Sequence, residues 1–160
     1  MMERIRTLIW YGVVILLIII CYHVASSYAV ALVDEKFIAM KPTIQPNGVC
    51  FLNRKPAGIS SLATDDVVAF NAFNGREEVR LFARVLAASG QMVSIRGGRL
   101  LVDGNDTAGA PRGLEALETG SMIVPRETVF VVFDAANAMP LSLSKRLVPF
   151  RNIIGRVMNK

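Results

Sequence analysis

One uncharged apolar segment near the N-terminus constrains this chain more than any other feature. Residues 7–33 contain 22 apolar side chains out of 27. About 20 apolar residues in a helix are enough to span a bilayer. Arg4 and Arg6 precede the segment, which places the N-terminus in the cytoplasm by the positive-inside rule. We therefore predict a cytoplasmic N-terminus and membrane anchor over 1–33, and a domain over 34–160 on the extracytoplasmic or periplasmic side of the inner membrane.

A cleaved signal peptide is the alternative interpretation of this segment. Ser27-Tyr28-Ala29 loosely fits the small-x-small pattern of a cleavage site. The apolar run is longer than the usual apolar part of a signal peptide, which favours an uncleaved anchor. His23 lies inside the run and is interpreted as a tolerated residue near its outer end.

Composition excludes several classes of protein. Without the apolar segment, about 46% of the residues are apolar, which is ordinary for a globular domain and excludes a disordered chain. Two cysteines exclude a disulfide scaffold, and two cysteines with one histidine argue against a zinc site. Neither a metal nor another cofactor is expected.

The positive charge is concentrated at the C-terminus. Residues 34–144 carry 11 basic and 12 acidic side chains, whereas 145–160 carry five basic side chains and no acidic one. A nucleic-acid partner is not expected, because this domain lies outside the cytoplasm and no aromatic residue follows Phe150 among these charges. Two interpretations of these C-terminal charges remain open. They form a solvated strand end, or they are attracted to anionic lipid at roughly 1 kcal/mol per basic residue.

The domain that follows the anchor has the pattern of a β protein. Short apolar runs alternate with turn residues, and Gly97-Gly98 between two such runs predicts a tight hairpin turn. A short helix is predicted at 114–117. Strands are predicted at 49–52, 67–70, 79–87, 92–95, 100–102, 128–133 and 153–157. This spacing predicts a mainly β, barrel-like domain.

The order of these segments resembles a known family. The sequence Ala39-Met40-Lys41-Pro42-Thr43 follows the anchor where type I signal peptidases carry Ser-Met-x-Pro-Thr. Residues 83–91 (ARVLAASGQ) are similar to the family's Lys-Arg-Val box, and 130–134 (FVVFD) to the approach to its Gly-Asp-Asn-Arg box. Residues 148–157 are similar to the closing segment of the family. The resemblance covers about residues 8–157 and implies a signal-peptidase-like β-barrel fold outside the membrane.

Both catalytic positions of the family differ in this chain. The resemblance places the nucleophilic serine at Ala39 and the general-base lysine at Ala83. A serine attacks a carbonyl only when a base removes its proton, and a buried lysine can be that base because burial disfavours its charged form. Alanine supplies neither group, and the loss of either partner costs several powers of ten in rate. In a gapless alignment of the third box only Asp134 matches the family, and a shifted alignment would also match Ser142 and Arg146 but still lack the family's second aspartate.

Other residues are weak replacements for the missing pair. Arg84 is adjacent to Ala83, but a guanidinium is effectively never neutral, so it cannot act as a base. Thr43 has a hydroxyl, but its place in the motif is structural, and Cys50 is interpreted as a small buried apolar residue. A relocated pair of Ser142 and Lys145 is the remaining possibility for catalysis.

We hypothesise a catalytically inactive, signal-peptidase-like membrane protein. The family's cleft binds an extended peptide at strand edges, which requires neither missing residue. Its partners would be the lipid bilayer and either exported or membrane polypeptides or the subunits of a pilus, secretion or conjugation apparatus. Met40, Pro42, Thr43 and Asp134 are the candidate cleft or motif residues, with core packing an equal interpretation for Met40 and Pro42. The alternatives are an active divergent peptidase, or one that processes conjugative pilin, and a purely structural subunit of a membrane complex.

Overall fold

The chain begins with one long helix that leads directly into a β domain. The computed structural model describes residues 2–35, 37–54, 62–73, 77–96, 99–107, 120–135 and 146–158. Helix α1 spans Met2–Ser27. Within it, Ile9–Ser27 has a mean hydropathy of 2.2 and enough length to cross a membrane, a criterion that a signal sequence also meets.

The N-terminal helix is shorter than the anchor segment that the sequence predicts. The helix ends at Ser27, and Tyr28–Leu32, which we placed in the anchor, forms the first strand of the domain. This strand pairs antiparallel with the next one along its whole length, from Tyr28 opposite Asn53 to Leu32 opposite Val49. The physical boundary therefore lies between Ser27 and Tyr28, and not after Val33.

The mainly β class is confirmed. The eleven described strands are β1 Tyr28–Leu32, β2 Val49–Asn53, β3 Val67–Phe73, β4 Glu78–Ala87, β5 Met92–Arg96, β6 Arg99–Val102, β7 Asn105–Asp106, β8 Gly120–Ile123, β9 Thr128–Val132, β10 Leu147–Pro149 and β11 Ile153–Val157. The predicted helix at 114–117 lies outside the described residues.

The strands form two antiparallel sheets. The larger sheet has the order β1-β2-β11-β3-β4-β9-β10, and the smaller one has the order β7-β6-β5-β8. β5 and β6 form the predicted hairpin, with Arg96 opposite Arg99. After it, Asp103 and Gly104 adopt positive φ angles in the turn that leads to β7.

Two apolar cores lie on opposite faces of β9, because side chains alternate along a strand. Val129 and Val131 pack into the first core, together with residues of the larger sheet. Phe130 and Val132 pack into the second core, against the strands of the smaller sheet. β9, the strongest strand in the sequence, therefore lies between the two cores.

Candidate functional site

The predicted catalytic-base position lies in the middle of the larger sheet. Ala83 is fully buried in the first core and lies opposite Val68 on β3. Val68 lies opposite Arg156, Arg156 opposite Asn53, and Asn53 opposite Tyr28. One row of residues thus joins Ala83 to the first residue after the helix across five strands. At 4.7–4.9 Å per strand, this row spans about 19 Å.

The predicted nucleophile position lies in the loop that follows β1. Ala39 is half-buried and packs against the same first core as Ala83. Its carbonyl oxygen accepts a hydrogen bond of 2.9 Å from the amide of Ala135. The two alanine positions are therefore brought to one apolar cluster, and the first motif is joined to the third.

Met40 is a core residue in this structure. Its side chain has no exposed surface and lies among the largest fully buried side chains of the described chain. This position supports the packing interpretation of Met40 over the cleft interpretation. Pro42 is exposed, follows a cis peptide bond, and is available at the surface of the same loop.

Thr43, Arg84 and Asp134 form one polar cluster that joins the loop after β1 to β4 and to the third motif. Arg84 donates from Nε to Asp134 Oδ1 at 2.9 Å and from Nη2 to Asp134 Oδ2 at 2.6 Å. The Thr43 hydroxyl donates to Asp134 Oδ2 and accepts a bond of 3.1 Å from Arg84 Nη2. A single member of each of the three resembling motifs thus contributes to this cluster.

The electrostatics of the cluster exclude Arg84 as a base. The hydrogen bond to Asp134 raises the pKa of Arg84, and burial opposes this effect only in part. The side chains of Arg84 and Asp134 are 18% and 12% exposed, so the pair is largely shielded from water. A bidentate arginine–carboxylate pair fixes geometry as well as charge. The cluster is therefore suited to holding the loop, β4 and the third motif together.

The sequence alone did not reveal this role of Arg84. We considered Arg84 only as a replacement base, although it occupies the strand position after Ala83 and so points to the opposite face. The sequence contained one indication of this contact: an arginine within an apolar strand, and a carboxylate of opposite charge, Asp134, directly after a second strand. The sequence does not show which acidic residue Arg84 contacts. That choice depends on the pairing of β4 with β9, which places Arg84 opposite Val132.

Other candidate residues supply no catalytic pair among the described residues. Cys50 is buried in the first core, and desolvation by burial raises the pKa of its thiol, which opposes formation of a nucleophilic thiolate. His23 is exposed on α1. Ser142 and Lys145 lie outside the described residues. Over the described ranges, no group of three or more His, Cys, Asp or Glu side chains could hold a metal ion.

The C-terminal basic segment is not uniformly solvated. Arg146 is buried, and desolvation lowers the pKa of its guanidinium. Arg156 forms an ion pair of 3.3 Å with Asp66. These two arginines therefore belong to the folded domain, and Arg151 is exposed.

Among the described residues, no strand covers one backbone edge of β4 over residues 78–82. It pairs with β3 from Val67 opposite Arg84 to Phe73 opposite Glu78. On its other side, β9 pairs only with Arg84, Val85 and Ala87. Within the described part of the chain, the segment 78–82 therefore has a strand on one side only. Such an edge can accept an extended peptide as an added strand.

The comparison with family models agrees with the resemblance of the motifs. The family model for signal peptidase, peptidase S26, matches residues 6–159. The chain is also similar to the crystal structure of a signal peptidase I from Enterococcus faecalis V583, with 17% sequence identity, a TM-score of 0.48, and coverage of 61% of this chain and 97% of that chain. No curated protein matches the sequence. Because the family model spans almost the entire chain, this protein belongs to the S26 family of signal peptidases.

Proposed function

We propose that this protein binds extended segments of exported or membrane-inserted polypeptides without cleaving them. In this proposal α1 is an uncleaved anchor in the inner membrane, with its N-terminus in the cytoplasm and the β domain on the extracytoplasmic side. A single observation carries the proposal: the site combines an intact polar cluster with the absence of both catalytic groups. The cluster of Thr43, Arg84 and Asp134 is complete, whereas Ala39 and Ala83 have neither hydroxyl nor amine.

The side chains at and around position 83 support the absence of catalysis. Ala83 supplies no basic group, and the described core residues packed with it are apolar and supply none either. A base at this site would have to come from elsewhere in the chain, and Arg84 is held in its charged form by Asp134. Without a group that removes a proton, an acyl-transfer reaction loses its nucleophile.

The open edge of β4 supports peptide binding. Main-chain hydrogen bonds to residues 78–82 would give affinity that depends little on side chains, as expected for a protein with many partners. The same strand carries Arg84, whose bonds to Thr43 and Asp134 hold the adjoining loop against the sheet. Binding at this edge therefore requires the polar cluster and not the missing pair.

Photocrosslinking of the full chain tests this proposal. A photoreactive residue replaces Arg80, which is exposed on the open part of β4, and the protein is reconstituted in lipid nanodiscs with a preprotein that carries a signal sequence. We expect a crosslink to the intact preprotein. The matched control replaces Arg96, an exposed arginine on β5, which is paired with β6 and β8 and offers no open edge.

Three outcomes contradict the proposal. Cleavage of the preprotein by the purified chain would show an active peptidase, and loss of this cleavage in Ser142→Ala or Lys145→Ala would identify a relocated pair. Equal crosslinking from the positions of Arg80 and Arg96 would show non-specific contact. Absence of a crosslink from either position would favour a purely structural subunit.

A further inference from the structure

The open segment of β4, residues 78–82, carries two exposed side chains of opposite charge. Glu78 and Arg80 lie on the same face of the strand, because side chains two residues apart share a face. Among the described residues, neither of them forms an ion pair. On β3 they lie opposite Phe73 and Asn71, which carry no charge. Both charges are therefore unmatched within the described part of the domain.

The backbone of this segment is regular. Val79, between the two charged residues, is half-buried and lies opposite Ala72, which packs against the first core. The pairing with β3 runs without a bulge from Glu78 to Arg84, and no proline interrupts it. Charged side chains on an edge strand oppose pairing with most other strands. A strand that pairs here must therefore carry charges that match those of β4.

The segment is complementary to itself when two copies run antiparallel. In an antiparallel pair centred on Val79, Glu78 of each copy lies opposite Arg80 of the other, and Val79 lies opposite Val79. Directly opposite residues have Cβ atoms about 4.5–5.5 Å apart, and opposite charges at this separation stabilise the pair. An in-register parallel pair would instead place like charges together, which is destabilising. The order acidic–apolar–basic thus favours a second copy of this chain in one orientation.

We infer that a second copy of this chain pairs with β4 along residues 78–80, across a two-fold axis at Val79. Such an interface is isologous, because both copies use the same surface. It would join the two larger sheets into one. The inference rests on the open edge that the proposed function also uses, and it assigns a regulatory state to that edge. While two copies are paired, the edge is closed to a peptide.

The interface is short, so the pairing should be weak in dilute solution. Two short strand segments cover less area than the roughly 1,200 Å² at the lower end of a standard stable interface. Anchoring of both copies in one membrane, as proposed for α1, would raise their local concentration without a new contact. We therefore expect the dimer in membranes, in exchange with monomers whose edge is open.

Cysteine crosslinking of the full chain in lipid vesicles tests the inference. In a Cys21→Ser background, which removes the exposed cysteine of α1, Val79→Cys places the thiols of two copies opposite each other at the two-fold axis. A short bifunctional maleimide should then yield covalent dimers. Ile123→Cys is the matched control, because Ile123 is 67% exposed on β8, outside the proposed interface, and should yield monomers.

Reversal of the charges gives the sharpest readout. In the Val79→Cys background, Arg80→Glu puts two carboxylates opposite each other in both cross-strand pairs, and the yield of dimer should fall about fivefold or more. Glu78→Arg should lower it similarly through two guanidinium groups. The double variant Glu78→Arg, Arg80→Glu restores opposite charges in both pairs and should restore the dimer. Because both side chains are exposed, these variants should unfold at the same temperature as the unaltered chain.

The inference is wrong if Val79→Cys yields no more dimer than Ile123→Cys. It is also wrong if the single reversals leave the yield unchanged, or if the double variant does not recover it. The preprotein crosslink from position 80 tests the proposed function separately. Dimers without that crosslink would support the inference alone, and the crosslink without dimers would support the proposed function alone. If both occur, added preprotein should lower the yield of dimer, and an unchanged yield would contradict a shared edge.

Discussion

At the scale of single residues, the site is organised by Arg84. This side chain contacts Asp134 at both carboxylate oxygens and also donates to Thr43 and to the backbone carbonyl of Asp65. Four segments that are distant in the sequence therefore meet at one guanidinium. A lysine could not reproduce this arrangement, because an ammonium group lacks the planar, forked set of donors.

Replacing Arg84 with methionine should destabilise the domain. Arg84→Met leaves the largely buried Asp134 carboxylate without its charged donors, at a cost of about 2–3 kcal/mol. Thermal unfolding of the full chain in detergent measures the loss. Arg99→Met is the control, because the Arg99–Asp106 pair is 3.5 Å long and mostly exposed, and such pairs contribute about 0–1 kcal/mol. Equal losses in the two variants would contradict the organising role of Arg84.

The buried thiol of Cys50 should make the free energy of unfolding depend on pH in the alkaline range. Because burial raises the pKa of its thiol, the folded state keeps the proton that the unfolded state releases above the ordinary value of 9.0. Stability from this group is complete below that pH and falls as pH rises through the folded-state pKa. Unfolding of Cys50→Ala in detergent, compared with the unaltered chain from pH 8 to 10, should show a smaller loss with pH. Identical pH profiles would show that the pKa of the Cys50 thiol is the same in the folded and unfolded states, and would contradict this prediction.

At the scale of elements, the sequence predicted seven of the eleven described strands and missed β1, β7, β8 and β10. β9 and the β5–β6 hairpin were predicted because their apolar runs end at glycine, asparagine or aspartate. β1 was missed because its outer face, Tyr28, Val30 and Leu32, is as apolar as its inner face. Without alternation, it could not be distinguished from a continuation of the helix.

The residues of the candidate site also divide into those that the sequence predicted and those that it did not. Ala39, Ala83, Thr43 and Asp134 were found by motif spacing, which is local in the sequence. The burial of Met40 and the hydrogen bonds of Arg84 were not predicted, because both depend on how the loop after β1 packs against the paired strands β4 and β9. The burial of Met40 has no local signature in the sequence.

The glycine of the closing motif should be intolerant of any side chain. A Cβ atom at Gly155 would lie 2.6 Å from the carbonyl oxygen of Asn53, where β11 passes between β2 and β3. Gly155→Ala should therefore cost about 1–3 kcal/mol of stability, measured by thermal unfolding in detergent. Gly12→Ala is the control, because a Cβ at Gly12 meets nothing within 4 Å. If Gly155→Ala is as stable as Gly12→Ala, this close approach of strands is wrong.

At the scale of the whole molecule, the direct junction between helix and sheet sets the orientation of the domain. Tyr28, Val30 and Phe51 are exposed on the outer face of β1 and β2, and a Gly-Ser-Gly-Ser segment inserted between Ser27 and Tyr28 should release this face from the bilayer in which we propose that α1 is anchored, because flexible linkers behave as random coils. Trp10 is the only tryptophan of the chain, so a Trp10→Phe, Phe51→Trp chain in lipid vesicles reports on this face, and the insertion should reduce the quenching of its fluorescence by brominated lipid. The same segment inserted between Gly97 and Gly98 is the control and should leave quenching unchanged. Persistent quenching after the junction insertion would show that the face binds lipid without help from the helix.

The row of residues from Tyr28 to Ala83 also limits which partners the site can meet. With α1 as the proposed membrane anchor, a site held about 19 Å from that anchor by paired strands would have no flexible tether and would sample one shallow layer. Partners anchored in the same membrane would be enriched in that layer, whereas soluble partners would not. This enrichment is an effect of local concentration and not of affinity. Weak contacts at the open edge of β4 would therefore suffice for a membrane-bound partner, and the same contacts would be too weak to retain a soluble one.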